Sequence, residues 1–185
     1  MTLSQVSLVL GGLHVLFGLL LWLRPDPTSV WLRRFPRQVA PGVALMLIGT
    51  AWFVANLYRS NVQDFAEWRP ILYAGFTLLG VGCCFFVQDY LSIRGAAVVA
   101  LLACDAILDI QRWYGSGVDG SGWKNVITGW CYLVIVLSVW WVGSPWRARD
   151  LTGWMTSEAG IRSRVGMGFA AFGALLLGLG VSVLK

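Results

Sequence analysis

Six apolar segments in a chain of 185 residues decide what this sequence can fold into. They run from about Leu3 to Leu23, Pro41 to Tyr58, Ile71 to Val87, Gly95 to Ile110, Val126 to Val142 and Val165 to Leu184. A helix needs about 20 residues to cross the ~30 Å hydrocarbon core of a bilayer. Six such helices take up nearly the whole chain and leave no room for a soluble domain of useful size.

The composition agrees. Hydrophobic residues make up 57% and charged residues 12%, where soluble domains carry about 25% charge. So few charges could not cover one soluble core. Intrinsic disorder, a nucleic-acid-binding module and a small disulfide scaffold are excluded on the same numbers. The predicted fold class is all-α: a polytopic integral membrane helix bundle of six transmembrane helices with two short interfacial helices. It forms a single transmembrane domain over residues 1–185.

Orientation follows from the loop charges. The first apolar run lacks a basic leader and a small-residue cleavage site, so it reads as a retained helix. Arg24, Arg33, Arg34, Arg37, Arg94, Arg147, Arg149, Arg162 and Arg164 then share one side of the membrane. Arg59, Arg69, Arg112, Lys124 and Lys185 lie on the other. The positive-inside rule puts the richer side in the cytoplasm and both termini outside, in a multi-pass protein of the cell membrane. The fourth segment carries Asp105 and Asp109 and is the weakest span. Without it the Arg-rich fifth loop would fall outside, so the rule requires it to cross.

Two loops read as interfacial helices. Asp26 and Pro27 suggest a cap and a first-turn proline, and Pro36 a stop. Between them, apolar Val30, Trp31 and Phe35 alternate with Arg33, Arg34 and Arg37. In the fifth loop Trp146, Leu151, Trp154 and Met155 are interleaved with Arg147, Arg149 and Asp150. Both patterns suit helices lying on an anionic inner leaflet, with the lipid bilayer as partner and each basic residue contributing about 1 kcal/mol. Trp22, Trp68, Trp113, Trp123, Trp140, Trp141 and Trp146 fall near span ends, as an aromatic belt requires. Span one, its basic loop and span two resemble span five, its loop and span six, which suggests a parallel internal repeat.

Small residues mark where helices touch. Gly166, Ala170, Ala174, Gly178 and Ser182 recur at every fourth position of span six, a stripe suited to close helix packing in lipid. Its partner is another span, another subunit or a second copy. In span one Ser7, Gly11, His14 and Gly18 share a face, so His14 should point at protein.

His14 and Asp105 lie at similar depths, each about 15 Å into the membrane at 1.5 Å per residue. Asp109 sits one turn nearer the outer surface and Arg112 three residues beyond. A carboxylate at mid-membrane costs about 2.5–3.5 kcal/mol on the lenient scale. It must pair, protonate or meet water. His14, Asp105, Asp109 and Arg112 therefore form a candidate intramembrane polar cluster, either a proton path or a structural set with Asp105 bonded to His14 and Asp109 paired with Arg112. His14 is also the one conceivable axial ligand for a haem or a flat pigment; no other cofactor is indicated.

Other motifs carry little. Cys83, Cys84, Cys104 and Cys131 lie in apolar stretches without C-x-x-C spacing and read as buried free thiols. A single histidine excludes a multi-histidine metal site. Gly115 to Gly120 matches G-x-G-x-x-G but lacks the strand before and the helix after, so it reads as a flexible loop. No catalytic signature is present, so the chain reads as a non-enzyme: a non-catalytic membrane subunit or scaffold of a larger complex. The alternatives are a small proton-coupled transporter and a pigment- or haem-binding subunit.

Overall fold

A computed structural model describes residues 2–60, 67–114 and 122–182. Among them are eight α-helices and no strand. In chain order these are α1 (Leu3–Leu23), α2 (Pro25–Arg34), α3 (Val39–Arg59), α4 (Arg69–Phe86), α5 (Leu91–Tyr114), α6 (Lys124–Gly143), α7 (Pro145–Met155) and α8 (Ala159–Ser182). Six of them (α1, α3, α4, α5, α6 and α8) are long and apolar enough to cross a membrane. The chain is an all-α, multi-pass membrane protein. The fourth segment qualifies with its carboxylates included, over Leu91–Arg112.

The short helices α2 and α7 hold 10 and 11 residues. At 1.5 Å per residue they are about 15–17 Å long, half of what a crossing needs. The order long–short–long occurs in α1–α2–α3 and again in α6–α7–α8.

Helix ends differ from the sequence expectation where caps and prolines decide them. Thr2 and Gln5 form a reciprocal capping box that starts α1. Pro25, rather than Pro27, opens α2, and Asp26 lies inside its first turn. There its charge favours the helix N-terminus without capping it. The α-helix does end ahead of Pro36, at Arg34, and the chain goes on as a 3-10 turn over Phe35–Arg37, which tolerates the missing N–H. The fourth span begins at Leu91, four residues earlier than hydropathy suggests, because Arg94 is taken into its first turn. Tyr90 before it adopts φ 55°, a left-handed conformation that a bulky residue holds only in a tight turn.

The described residues form two compact units. The first takes the described residues within 1–33, 104–135 and 149–185; the second takes those within 34–103 and 136–148. In the first, α1 and α8 run antiparallel, and contacts pair residue 11 with 173 and 18 with 166. A Cβ on Gly11 would stand 2.8 Å from the Gly173 carbonyl oxygen, and one on Gly18 2.5 Å from that of Gly166. A Cβ on Gly173 would meet the Val15 amide at 2.6 Å. Only glycine permits so close a backbone approach. Ser7 donates to the Leu176 carbonyl (2.6 Å) and Ser4 to that of Gly180 (2.7 Å). Leu3, Cys104, Ile127, Cys131, Leu176 and Leu179 form the buried centre of this unit.

The second unit is built on α3. Gly42 and Gly49 of α3 face Ser92 and Val98 of α5, a parallel pairing. Ser92 donates to the Gln38 carbonyl where α3 begins. Gly80 of α4 receives the Thr50 side chain of α3. Phe53 meets Phe76 edge-on, with centroids 4.8 Å apart. Met46, Cys84 and Leu91 are its buried apolar centre. All four cysteines are free thiols, and three are buried.

Candidate functional site

The six-residue loop over 115–120 and the end of span six beyond Ser182 lie outside the described residues. Every other residue singled out from the sequence, the Trp113 side chain excepted, can be placed.

His14 sits in an aromatic enclosure within the first unit. Its ring lies 5.4 Å from Trp130 of α6, and 5.9 and 5.4 Å from Phe169 and Phe172 of α8, measured between centroids. Nδ1 is 2.7 Å from the Leu10 carbonyl oxygen, and Nε2 accepts the Trp130 indole N–H at 3.1 Å. A carbonyl only accepts and an indole N–H only donates. The two partners together fix the neutral Nδ1–H tautomer and occupy both ring nitrogens. The expected contact with protein is present, but the partner is Trp130. Asp105 makes no hydrogen bond to His14.

Trp130 escaped the sequence reading, which treated tryptophans as belt residues. It stands seven residues into α6, away from the ends where belt tryptophans gather. A buried indole N–H needs an acceptor, and the single histidine was the candidate to look for. Gln111 was also missed. It is buried and donates to the Lys124 carbonyl (2.8 Å) and to Thr128, tying α5 to α6.

Asp105 and Asp109 are exposed on α5. They are one turn apart and share a face. Cys104, one residue back, is buried in the core with Cys131. A step of 100° round the helix therefore carries the chain from core to periphery. Among the described residues neither carboxylate has a hydrogen bond or an ion pair, and Arg112 is exposed rather than paired with Asp109. At three residues' separation Arg112 is a neighbour of Asp109, but an exposed pair gains about 0.2–1 kcal/mol at best and does not hold the side chains together. Asp105 lies seven residues from Arg112 in a 22-residue span, about 10 Å from that end.

The small-residue stripe of span six divides. Gly166 and Ala170 meet Gly18 of α1. Ala174, Gly178 and Ser182 are exposed, and nothing lies within 4 Å of a Cβ placed on Gly178. The contact with α1 continues instead through Gly173 and Gly180. The cause is helical pitch. Four-residue steps rotate about 40° each, so five such positions wind round the helix. Seven-residue steps drift only about 20°.

The basic interfacial residues have two fates. Arg34, Arg37 and Arg147 are exposed and unpaired among the described residues. Arg33 donates from Nε to the Thr156 hydroxyl (2.8 Å) and from its guanidinium to the Thr156 carbonyl, fastening α2 to the end of α7. Arg149 pairs with Asp150 at 2.7 Å. Among the described residues no group of three or more His, Cys, Asp or Glu side chains could hold a metal ion. No protein-family model, curated protein or solved structure matches the chain.

Proposed function

We propose that the chain is a non-catalytic subunit or scaffold of a larger membrane assembly, with a second polypeptide covering the Asp105 side of α5. The observation that carries this reading is the exposure of Asp105 deep in a span, without an internal partner. A carboxylate there costs about 2.5–3.5 kcal/mol unless it is relieved. The chain's own histidine at that depth is committed elsewhere, to Leu10 and Trp130. A hydrogen-bond donor or cation on a neighbouring chain supplies what is missing. Interhelical polar contacts of this kind hold membrane subunits together.

The carrier reading uses the same carboxylates, but its proton path runs through His14, whose two ring nitrogens are both engaged. The pigment or haem reading needs a free imidazole lone pair, and Trp130 takes it.

The test is purification in mild detergent, wild type beside Asp105→Leu. The expected result is a stoichiometric companion chain with the wild type and its loss from a still-folded Asp105→Leu. Two findings would refute the proposal. One is an isolated, monodisperse wild-type chain; the other is a companion retained equally by the variant. A solute flux abolished by Asp105→Asn, with no companion present, would favour the carrier instead.

A further inference from the structure

We propose that the trough between α3 and α4 is a binding site for a phospholipid with an anionic headgroup. The trough has a volume of about 840 Å³. On α3 it is lined by positions 47, 50, 51, 54, 55, 58 and 59, spacings that fall on a single helical face. On α4 the lining comes from 73, 77 and 81, one residue per turn. From Leu47 to Arg59 the trough extends about 18 Å at 1.5 Å per residue, close to the ~15 Å depth of one leaflet's hydrocarbon.

Its two ends differ chemically. The deep end, around Leu47, Ala51, Val54 and Val81, is mainly apolar, with the Thr50 hydroxyl turned back onto its own helix. Ala51 and Ala55 keep the trough open where larger side chains would fill it. The mouth carries Arg59 in the last turn of α3, together with Tyr58 and Tyr73, whose rings lie 6.3 Å apart. Arg59 is exposed and makes no hydrogen bond or ion pair among the described residues. A guanidinium is a fork of donors matched to phosphate oxygens. The phenols at the same level suit the headgroup region, where amphipathic rings gather. A largely apolar trough that ends in a guanidinium with no partner among the described residues is complementary to an amphiphile with a phosphate at one end. A helix from another chain would leave that charge facing apolar surface.

α3 and α4 meet tightly at Gly80 and through the rings of Phe53 and Phe76, and the trough runs beside these contacts. Thr50 seats against Gly80, and its hydroxyl is turned back onto the Met46 carbonyl at 2.8 Å.

The experiment uses the full chain in phosphatidylcholine vesicles that contain phosphatidylglycerol with a photoactivatable acyl chain. Labelled peptides are then mapped. Adducts are expected over residues 47–59 and 73–81. Unlabelled phosphatidylglycerol should compete them away, and extra phosphatidylcholine should not. Arg59→Gln should lower this labelling about fivefold, the factor expected for one lost headgroup contact. Ala51→Phe fills the trough and should lower it at least as much. Arg37→Gln lies on a different element and should leave it unchanged. Labelling that Arg59→Gln and Ala51→Phe both leave intact would overturn the proposal. So would equal competition by the two lipids, or an adduct between chains through this face in place of a lipid adduct.

Discussion

Two antiparallel helix pairs, one in each unit, are closed in different ways. Between α1 and α8, glycines come from both partners: Gly11 and Gly18 on one helix, Gly166, Gly173 and Gly180 on the other. The backbones touch at every level, and two serine hydroxyls cross to backbone carbonyls. Between α3 and α4 a single glycine, Gly80, admits a single threonine. Beside that contact the pair leaves an open trough, and α4 is the least buried of the six spans. In lipid no hydrophobic force closes such gaps. Glycine on both helices at seven-residue spacing makes a seam; glycine on one gives a single close approach, and side chains such as Phe53 and Phe76 make the other contacts.

Breaking the seam should have the largest effect. Gly173→Leu puts a side chain where even a Cβ would meet backbone atoms, and overpacking of this kind costs about 1–3 kcal/mol or more. Loss of the folded, monodisperse protein is expected in detergent titration. Gly178→Leu, on the open side of the same helix, should behave as wild type. An equal response from the two would remove the distinction between seam and surface. Gly80→Leu should destabilise by about 1–2 kcal/mol, less than Gly173→Leu, because the atoms it displaces belong to the Thr50 side chain. Thr50→Ala in the same molecule should recover part of that loss, measured as a double-mutant cycle. Trp130→Phe keeps the ring but strips the donor from His14 Nε2. An unfolding measurement should show about 1 kcal/mol of destabilisation, the usual size of one such bond. The smallest effect is expected from Ser7→Ala, about 0.6 kcal/mol, typical of an interhelical bond in a membrane.

Much of this fold is legible in the sequence because hydropathy and length are properties of each segment alone. Leu3 to Leu23 coincides with α1 to the residue. Even the fourth span, weakened by Asp105 and Asp109, follows from loop charges. The seam was less legible. Span six is so rich in small residues that a four-residue series stands out, although the contact follows Gly166, Gly173 and Gly180. Choosing between those series requires the partner helix, which composition does not name. The polar cluster was the least legible. Depth along the helix set His14 and Asp105 at one level, but rotation about the helix axis sets their neighbours. Asp105 turns outward because Cys104 turns in, and His14 meets Trp130, a residue 116 positions away. Long-range pairings of that kind leave no local periodicity.

The central claim is that another polypeptide covers the outward face of α5. Its most direct measurement is photo-crosslinking in native membranes from a probe at position 105, with a probe at exposed Leu79 of α4 as the comparison. The account predicts a discrete adduct with one companion polypeptide from position 105 and only lipid adducts from position 79. Lipid adducts alone from both positions would contradict it.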